Sequence, residues 1–275
     1  MISYLKYTIV SYKNTQYMNL VIGNTSQLAY YFPDDYKKIS SRDIDFDDFE
    51  NKKYESVYVC FAEQRTHMKD NLELFLDVNV KYTLNVVDFF SKISNRVIVY
   101  GTSELWNKYS GGIDITLPFD YNFTPYIDSK RIMINELKSR NYKNVIIIHP
   151  HNFNSSRRKE GFLFGKIFNS ILNNKKIHIG NTYFYRELIH PKYVVERSIL
   201  ATTDEIIGSG RLVFINDFIR ELYAAFNLSY DKLVTENDIH NLNIKRNINY
   251  LNSFKPLYNS LLKDTVEDLK NNKNV

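Results

Sequence analysis

The chain has 275 residues, 44% of them apolar, which is enough for one large α/β domain or for one domain with a smaller lobe. Its 36 Lys and Arg residues against 31 Asp and Glu residues give a modest formal net charge of +5. The longest basic run, Arg157-Arg158-Lys159, is shorter than the clustered patch that nucleic acid binding requires, so we expect no nucleic acid partner.

Cysteine content and hydropathy limit the environment of the protein. Cys60 is the only cysteine, which excludes an internal disulfide and fits a reducing compartment. No apolar run approaches the ~18 residues of a membrane span, and no basic and then apolar signal opens the chain. We therefore expect a cytoplasmic protein with no membrane partner. Residues 1–17 precede the first interpretable strand and are expected to form a peripheral extension or an added strand.

An apolar strand over residues 19–22 runs into Gly23, and the residues after it are predicted to open a short helix. Dinucleotide-binding folds place Gly-x-x-Gly-x-x-Gly here, because the backbone must approach a pyrophosphate at the helix N-terminus. Only Gly23 remains of these glycines, since Ser26 stands at the second position and Ala29, an accepted variant, at the third. The alternative is an ordinary strand-turn-helix. Candidate cofactor residues in this turn are Gly23, Ser26, Gln27 and Leu28.

A short second strand over residues 37–41 is predicted to end beside the ribose of a bound dinucleotide. An acidic residue at this place binds the 2′-hydroxyl of NAD. This chain has two serines and Arg42 instead, and small polar groups with an arginine suit a 2′-phosphate. We therefore predict NADP as the cofactor, with NAD as the alternative. The competing interpretation of Arg42 is a solvated side chain paired with Asp43 or Asp45.

The next elements extend the predicted sheet and cover it. Residues 57–62 form an apolar run that predicts a buried strand ending at Ala62. Residues 74–93 are predicted to form a helix, because their apolar side chains recur at helical spacing on one face.

The residues that carry chemistry lie between positions 95 and 130. The apolar, β-branched run from Val97 to Tyr100 predicts a buried parallel strand, and the turn after it delivers Thr102, Ser103 and Glu104. In open α/β sheets, functional groups collect outside the carboxyl ends of the strands. These three side chains are therefore well placed for a site.

Tyr126 and Lys130 lie one turn apart on a helix that is predicted to begin near Pro125. A nearby ammonium favours phenolate over phenol, so we expect Lys130 to lower the pKa of Tyr126 from its ordinary value of ~10. A tyrosine with a lowered pKa is a usable acid or base at neutral pH. A single Tyr-x-x-x-Lys pair also arises by chance in a chain with 22 tyrosines.

The whole stretch resembles the extended short-chain dehydrogenase/reductase family, whose members act on nucleotide sugars. Gly101-Thr102-Ser103-Glu104-Leu105-Trp106-Asn107 is most similar to Ser-Thr-Ser-Glu-Leu-Tyr-Gly of the GDP-mannose 4,6-dehydratases. The resemblance implies that Thr102, Tyr126 and Lys130 form a catalytic triad and that Glu104 is the additional base of a dehydratase. Residues 77–87 are close to the family run Asn-Val-x-Gly-Thr-x-Asn.

Other positions are assigned by the same resemblance. Asn79 is implied to help hold the active-site lysine and a water, and Ala62 falls where the family places a small residue against the cofactor. After an apolar strand over residues 144–149, residues 152–167 resemble the Asn-His-Glu-Ser-Pro-Arg-Arg-Gly-Glu-x-Phe substrate loop. The alternative for this segment is a solvated basic loop. The implied contacts to cofactor or diphosphate are Asn152, Arg158 and Lys166.

Two later segments complete the resemblance. Residues 185–190 are similar to the family element Arg-Asp-x-x-His, which implies that Arg186 grips the nucleotide diphosphate, and Ser103 is the remaining predicted substrate contact. Residues 214–226 predict an amphipathic helix with Asn216 as its N-cap, and the corresponding helix of the family covers the sugar nucleotide.

The predicted fold class is α/β, with a Rossmann-like doubly wound parallel sheet and a smaller C-terminal substrate-binding lobe. We place the dinucleotide-binding core at residues 18–150 and the lobe at residues 151–275, with the two interleaved late in the chain. Because His190 has no partner at metal-ligand spacing, we predict no metal site.

The predicted function is an NDP-hexose 4,6-dehydratase, similar to the GDP-mannose enzymes, with bound NADP or NAD and a nucleotide-sugar substrate. A 4-keto-sugar nucleotide reductase or epimerase is the first alternative, because it would use the triad without Glu104. A short first helix, similar to that of the dTDP-4-dehydrorhamnose reductases, favours this alternative. The second alternative, motivated by Ser26, is a catalytically degenerate binding protein of the same fold. The resemblance also implies a homodimer or a higher homo-oligomer.

Overall fold

The structure of the chain is a computed structural model that describes residues 17–42, 44–65, 72–121, 124–237, 249–253 and 258–272. The predicted extension over residues 1–17 lies outside these ranges except for Tyr17. The strands, in chain order, are β1 (Met18–Ile22), β2 (Lys37–Ile39), β3 (Tyr54–Val59), β4 (Ser94–Tyr100), β5 (Gly112–Ile113), β6 (Val145–Pro150), β7 (Asn152–Phe153), β8 (Ile177–Ile179), β9 (Tyr185–Ile189), β10 (Glu205–Ile207), β11 (Leu212–Phe214), β12 (Val234–Glu236) and β13 (Tyr250–Leu251).

Helices separate most of these strands. The α-helices are α1 (Leu72–Leu76), α2 (Thr83–Phe90), α3 (Pro125–Ser139), α4 (Leu163–Asn173), α5 (Pro191–Leu200), α6 (Ile215–Ala225), α7 (Tyr230–Leu233) and α8 (Tyr258–Asn272). A π-helical stretch, Asp77–Tyr82, joins α1 to α2. Short 3₁₀ turns cover Ala29–Tyr31, Phe46–Phe49 and Ser103–Trp106.

The central sheet has six strands in the order β10-β6-β4-β3-β1-β2, and every neighbouring pair is parallel. From β1 the chain first adds β2 on one side and then β3 on the other, so the topological switch lies between β1 and β3. Ligands of open parallel sheets bind outside the carboxyl ends of the strands at such a switch. The predicted Rossmann-like fold class is confirmed.

Apolar runs place the strands of this sheet in the core on both faces. Val97, Ile98 and Val99 are all buried, and alternate side chains of the run join the clusters on opposite sides of the sheet. One cluster packs beneath α2 and α3, and the other beneath α5 and the 3₁₀ turn at Ala29. Fully buried parallel strands are continuous hydrophobic runs for this reason.

A second core lies in the later part of the chain. Buried side chains of α4, α6 and α8 pack together there, with smaller contributions from β8 and β9. The chain nevertheless returns to the central sheet through β10, which pairs with β6. The later segment and the sheet are therefore interleaved beyond residue 150.

The first predicted helix is wrong in its extent, because only the three residues Ala29–Tyr31 form a 3₁₀ turn there. Within the preceding turn, the Ser26 hydroxyl accepts the Leu28 N–H at 3.2 Å, a local bond that competes with helical pairing. Pro33 follows closely, and a segment this short does not gain enough hydrogen bonds to offset helix nucleation.

Two other helix predictions are corrected in detail. The helix expected over residues 74–93 is interrupted by the π-helical stretch, which shifts the side chains after it around the axis. Asn216 is not an N-cap, because Phe214 occupies that position and α6 begins at Ile215. The Asn216 amide instead donates to Thr182 Oγ1 at 2.7 Å and to Glu236 Oε1 at 3.0 Å, inside the second core.

None of the helices in the described ranges combines the length and the apolar character that crossing a bilayer requires.

We predict that Gly165→Ala destabilises the fold although alanine favours helices. A Cβ at Gly165, on α4, would lie 1.9 Å from the Lys159 carbonyl oxygen, and backbone atoms cannot move aside cheaply. Overpacking of this kind costs about 1–3 kcal/mol, more than the ~1 kcal/mol that alanine gains over glycine in a helix. The measurement is the free energy of unfolding from urea titrations.

Gly180→Ala is the matched control, because no atom of the described residues lies within 4 Å of a Cβ built at that position. Its free energy of unfolding should equal that of the wild type or exceed it slightly. Equal stabilities of the two variants would contradict the close packing of α4 on the Lys159 turn.

Candidate active site

One large cleft, of about 690 Å³, opens at the carboxyl ends of the central strands. This is within the size range of small-molecule and cofactor sites. Most of the residues that the sequence nominated line this cleft together. They are Gly23, Ser26, Gln27, Leu28, Arg42, Ala62, Thr102, Ser103, Glu104, Tyr126, Lys130, Asn152, Arg158 and Arg186.

Thr102 and Tyr126 are positioned by the beginnings of two helical elements. Thr102 follows β4 and caps the turn Ser103–Trp106, where its hydroxyl accepts the Glu104 N–H at 3.2 Å. Helix α3 begins at Pro125, as predicted, and the Thr124 hydroxyl caps it by accepting the Ile127 N–H at 3.3 Å. Tyr126 is therefore fixed in the first turn of α3, facing the end of β4.

The pKa of Tyr126 is raised, whereas the sequence predicted that Lys130 would lower it. Burial raises this pKa most, and the Glu104 carboxylate raises it further. A hydrogen bond from the Thr102 hydroxyl and the charge of Arg158 act in the opposite direction. In this structure Tyr126 is a neutral phenol at physiological pH.

Lys130 is held by the main chain of the neighbouring strand. Its Nζ donates to the Tyr100 carbonyl oxygen at 2.7 Å, and the side chain is buried. Burial lowers the pKa of Lys130 to about 8, because a buried ammonium loses its hydration. The ammonium is therefore partly discharged at mildly alkaline pH, which further weakens any effect on the phenol.

Glu104 lies in the same cleft as the phenol. Burial raises the pKa of its carboxyl group above the ordinary value, and the guanidinium groups of Arg186 and Arg158 partly oppose this rise. A carboxylate with a raised pKa is a stronger base, closer to the operating pH of an enzyme. Tyr126 and Glu104 thus form a pair of proton-transfer groups within one cleft.

Three cationic or amide side chains enter the cleft from the later part of the chain. The Arg158 guanidinium lies 3.7 Å from the Phe162 ring centre and donates from Nη1 to Gln64 Oε1 at 3.2 Å. Its Nε is buried and has no hydrogen-bond partner in the described part of the chain. Arg186 donates from Nη1 to Asn152 Oδ1 at 3.3 Å. This arrangement suits an anionic ligand such as a diphosphate.

The turn after β1 requires a glycine at its start. Gly23 has a φ of 104°, and a Cβ there would lie 3.0 Å from the Phe61 nitrogen and 3.2 Å from the Cys60 carbonyl carbon. The N–H groups of Gly23 and Asn24 both donate to the Ile39 carbonyl oxygen at 2.9 Å. The turn is thereby bound to the end of β2 and adjoins the end of β3.

The residues of this turn leave room for a dinucleotide. Gly23, Ser26 and Leu28 line the open cleft, and the Ser26 hydroxyl is directed back to the Leu28 N–H instead of spanning the cleft. The buried Nε of Arg158 supplies a donor that an anion can satisfy. The residues present therefore fit a nicotinamide dinucleotide, although the helix N-terminus that usually faces the pyrophosphate is reduced to the Ala29–Tyr31 turn.

Arg42 stands at the end of β2 and lines the same cleft. Its N–H donates to Ser40 Oγ at 3.0 Å, and the Ser41 carbonyl oxygen accepts the Tyr82 hydroxyl at 2.6 Å. Of the two carboxylates proposed as partners, Asp43 lies outside the described residues. Asp45 accepts the Asp47 N–H at 3.1 Å and caps the turn Phe46–Phe49.

Two nominated residues do not line the cleft. Asn79, in the π-helical stretch, is fully buried behind its wall. Its Oδ1 accepts the Glu63 N–H at 2.7 Å, and its Nδ2 donates to the Glu63 carbonyl oxygen at 3.1 Å and to Ser129 Oγ at 3.0 Å. Asn79 therefore joins the segment after β3 to α3, next to Lys130. Lys166 is exposed on α4.

Sequence reasoning missed an ion pair in the cleft wall. Arg65 donates from Nε to Glu63 Oε1 at 2.9 Å and from Nη2 to Glu63 Oε2 at 2.5 Å, and both residues line the cleft. The signal in the sequence is their position directly after Ala62, at the predicted carboxyl end of a buried strand. In the described ranges, no group of three or more His, Cys, Asp or Glu side chains is arranged to hold a metal ion.

A protein-family model matches most of this chain. The model of the NAD dependent epimerase/dehydratase family matches residues 36–213. The match includes the ends of β3, β4 and β6, but begins after the Gly23 turn and ends before α6. Among curated proteins, no sequence matched this chain significantly.

Solved structures share the fold over nearly the whole chain. RMD from Pseudomonas aeruginosa, in complex with NADPH, has a TM-score of 0.73 and 13% identity over 93% of this chain and 99% of that chain. A UDP-N-acetylglucosamine 4-epimerase from Methanobrevibacter ruminantium, with UDP-N-acetylmuramic acid, gives 0.70 and 15% over the same shares. A UDP-glucuronic acid 4-epimerase from Bacillus cereus, with NAD, gives 0.69 and 14% over 92% and 99%. At these identities the likeness concerns the fold.

We predict that Lys130→Met changes how stability depends on pH. Folding depresses the pKa of Lys130 from 10.5 to about 8, so the buried charge destabilises the fold below pH 8 and this penalty fades as pH rises towards 10.5. The wild type should therefore gain roughly 2 kcal/mol of unfolding free energy relative to the variant between pH 7 and 9.5. The measurement is urea unfolding of both proteins across this range.

Lys143→Met provides the control, because Lys143 is exposed and its ammonium stays in water in the folded protein. Its stability difference from the wild type should not vary with pH. A difference between wild type and Lys130→Met that is constant from pH 7 to 9.5 would contradict the buried ammonium.

Proposed function

Because the chain belongs to the NAD dependent epimerase/dehydratase family, we propose that it binds a nicotinamide dinucleotide and acts on a nucleotide sugar. Two features of the cleft support this proposal. The Gly23 turn and Arg42 offer a dinucleotide site, and Thr102, Tyr126 and Lys130 line the same cleft. The complexes of similar structures with NADPH, NAD and UDP-sugars are consistent with it.

The reaction we propose is the 4,6-dehydration of an NDP-hexose, with a substrate similar to GDP-mannose. The observation that carries this choice is the Glu104 carboxyl, which lies in the same cleft as Tyr126 and is close enough to shift its pKa. Elimination of water needs a base besides the group that serves the C4 hydroxyl. Glu104, with its raised pKa, is suited to that second proton transfer.

Each residue has a defined role in this proposal. Tyr126 takes the proton of the sugar C4 hydroxyl in its phenolate form, which the hydrogen bond from Thr102 and the charge of Arg158 favour against the effect of burial. A nicotinamide held in the cleft would supply reversible hydride transfer, from C4 at the start and back to C6 at the end, so that the cofactor is regenerated within one cycle. The C4 ketone acidifies C5–H, and Glu104 takes that proton and passes it to the C6 hydroxyl, which leaves as water. The phenol of Tyr126 then returns its proton to C5. Arg158 and Arg186 hold the diphosphate.

A second candidate is a nucleotide-sugar 4-epimerase or 4-keto-sugar reductase. Structures of UDP-sugar 4-epimerases are among those that share the fold, and their reaction needs hydride and C4 proton transfer without elimination. Thr102 and Tyr126 would serve it unchanged, while Glu104 would bind substrate instead of acting as a base.

Assembly into a homodimer or a higher homo-oligomer stays a prediction.

We predict that NADPH stabilises the protein more than NADH does. At about 100 times its Kd, a ligand raises the free energy of unfolding by ~2.7 kcal/mol, which thermal unfolding detects. Arg42→Ala should weaken NADPH binding about tenfold or more through the lost contact to the 2′-phosphate, and leave NADH binding unchanged. Titration calorimetry of both coenzymes gives the affinities.

Lys37→Ala removes the same charge from β2 at an exposed position and should change neither affinity. Stronger binding of NADH, with no effect of Arg42→Ala, would identify NAD as the cofactor. No stabilisation by either coenzyme would favour a binding protein that has lost cofactor affinity, as the serine at position 26 suggested.

Two substitutions at the reacting end separate the candidate reactions. Tyr126→Phe should lower turnover by about 10²–10⁴ for either reaction, because both need the C4 proton transfer. Glu104→Gln should abolish elimination and spare epimerisation or reduction. The assay incubates the protein and coenzyme with GDP-mannose, UDP-glucose and UDP-glucuronic acid. Mass spectrometry detects the loss of water, and NMR detects inversion at C4.

Glu136→Gln, at an exposed position of α3, is the matched control and should retain full turnover. Elimination that survives Glu104→Gln would overturn the base assigned to that reaction. Full turnover by Tyr126→Phe would overturn the proposal for both candidate enzymes.

A further inference from the structure

The loop that delivers Arg158 to the cleft is tied to two distant parts of the chain. Ser155 donates to Gln27 Oε1 twice, from its N–H at 2.9 Å and from its hydroxyl at 3.2 Å. Ser156 donates its N–H to Asp268 Oδ2 on α8 at 2.7 Å, and its hydroxyl accepts from Asn272 Nδ2. The loop is thus bonded to the turn after β1 and to the C-terminal helix.

These hydrogen bonds are buried, so losing one of them costs free energy. Ser155 is fully buried and Asp268 nearly so, so a bond lost here is not replaced freely by water. Asp268 is a carboxylate that accepts a backbone N–H, which is stronger than a bond between neutral groups. Releasing it would leave the Ser156 N–H without its partner and allow the loop to move.

The hydrogen-bonded loop Ser155–Arg158 places the consecutive cations Arg157 and Arg158 against different partners. The Arg157 guanidinium stacks on the Tyr30 ring, 3.9 Å from its centre, and lines the cleft there. Arg158 enters the cleft and contacts Gln64 and Phe162, and its buried Nε has no hydrogen-bond partner among the described residues. Without its bonds to Gln27 and Asp268, the loop would not fix these two arginines in place.

Both anchors of the loop lie outside the region that the family model matches. That region covers residues 36–213, which includes Arg158 but neither Gln27 nor Asp268. The residues that hold the loop therefore lie in the turn after β1 and in α8.

We propose that Asp268 is a positioning residue, which holds the Ser155–Arg158 loop so that Arg158 is ordered for an anionic ligand before the ligand arrives. The bearing on catalysis rests on the proposed function, because the ligand named there carries a diphosphate. An arginine ordered in advance loses less conformational freedom on binding. Removing the Asp268 carboxylate, which accepts the Ser156 N–H, should weaken diphosphate binding without unfolding the central sheet.

The test compares Asp268→Ala, Asp268→Asn and wild type by hydrogen exchange. Asp268→Ala should speed amide exchange in the segment 152–162 about tenfold, which corresponds to ~1.4 kcal/mol. Exchange in the segment 94–100, in β4, should stay at the wild-type rate. Asp268→Asn keeps an oxygen acceptor and should lie between the two. Glu267→Ala removes the same charge from an exposed neighbour on α8 and should change neither segment.

Binding of UDP and GDP, measured by calorimetry, gives the second arm. Asp268→Ala should raise the Kd of the diphosphate that wild type binds about tenfold, and Glu267→Ala should leave it unchanged. Three results would each overturn the positioning role. They are unchanged exchange in residues 152–162, exchange in β4 that is faster by the same factor, and faster loop exchange with unchanged affinity for the diphosphate. If wild type binds neither diphosphate, the proposed function fails, while the exchange arm still decides whether Asp268 orders the loop.

Discussion

The hydrogen bond from Lys130 Nζ to the Tyr100 carbonyl oxygen, at 2.7 Å, is the contact on which the site depends. An ammonium taken out of water loses several kcal/mol of hydration, so it stays charged in the core only where a partner is fixed. Tyr100 ends β4, and Lys130 lies one turn after Tyr126 on α3. The bond therefore fixes the helix that carries the phenol against the strand end that carries Thr102. Asn79 supports the same junction from behind, through Ser129.

Burial gives the groups of this junction pKa values that differ from their ordinary ones. Desolvation raises the pKa of Tyr126 and Glu104 and lowers that of Lys130, so each group is biased towards its neutral form. The raised pKa of Glu104 lies closer to the operating pH of an enzyme, whereas the raised pKa of Tyr126 keeps that residue a phenol. The positive charges of Arg158 and Arg186 favour the ionised form of Glu104, and that of Arg158 also favours ionised Tyr126. The balance between burial and these two arginines thus sets the reactivity of the cleft.

Sequence reasoning could identify what depends on local pattern. The apolar run from Val97 to Tyr100 gave a buried strand, and Pro125 marked the start of α3, because both signals lie within a few neighbouring residues. It could not predict interactions that depend on burial and on distant partners. The sign of the Tyr126 pKa shift follows from desolvation, which spacing along a helix does not show. Asn216 had the residue type of a cap, but its partners Thr182 and Glu236 are brought to it only by the tertiary fold.

The electrostatics of the phenol connect it to the parts of the chain that lie outside the family match. Tyr126 is neutral as long as burial and Glu104 dominate its surroundings, and Arg158 is one of the charges that oppose them. Arg158 acts on the phenol only from the orientation that its loop gives it. That orientation rests on bonds to Gln27 before the matched region and to Asp268 after it. The reactive end of the cleft therefore depends on both ends of the described chain, because they fix the cation that offsets the burial of its acid.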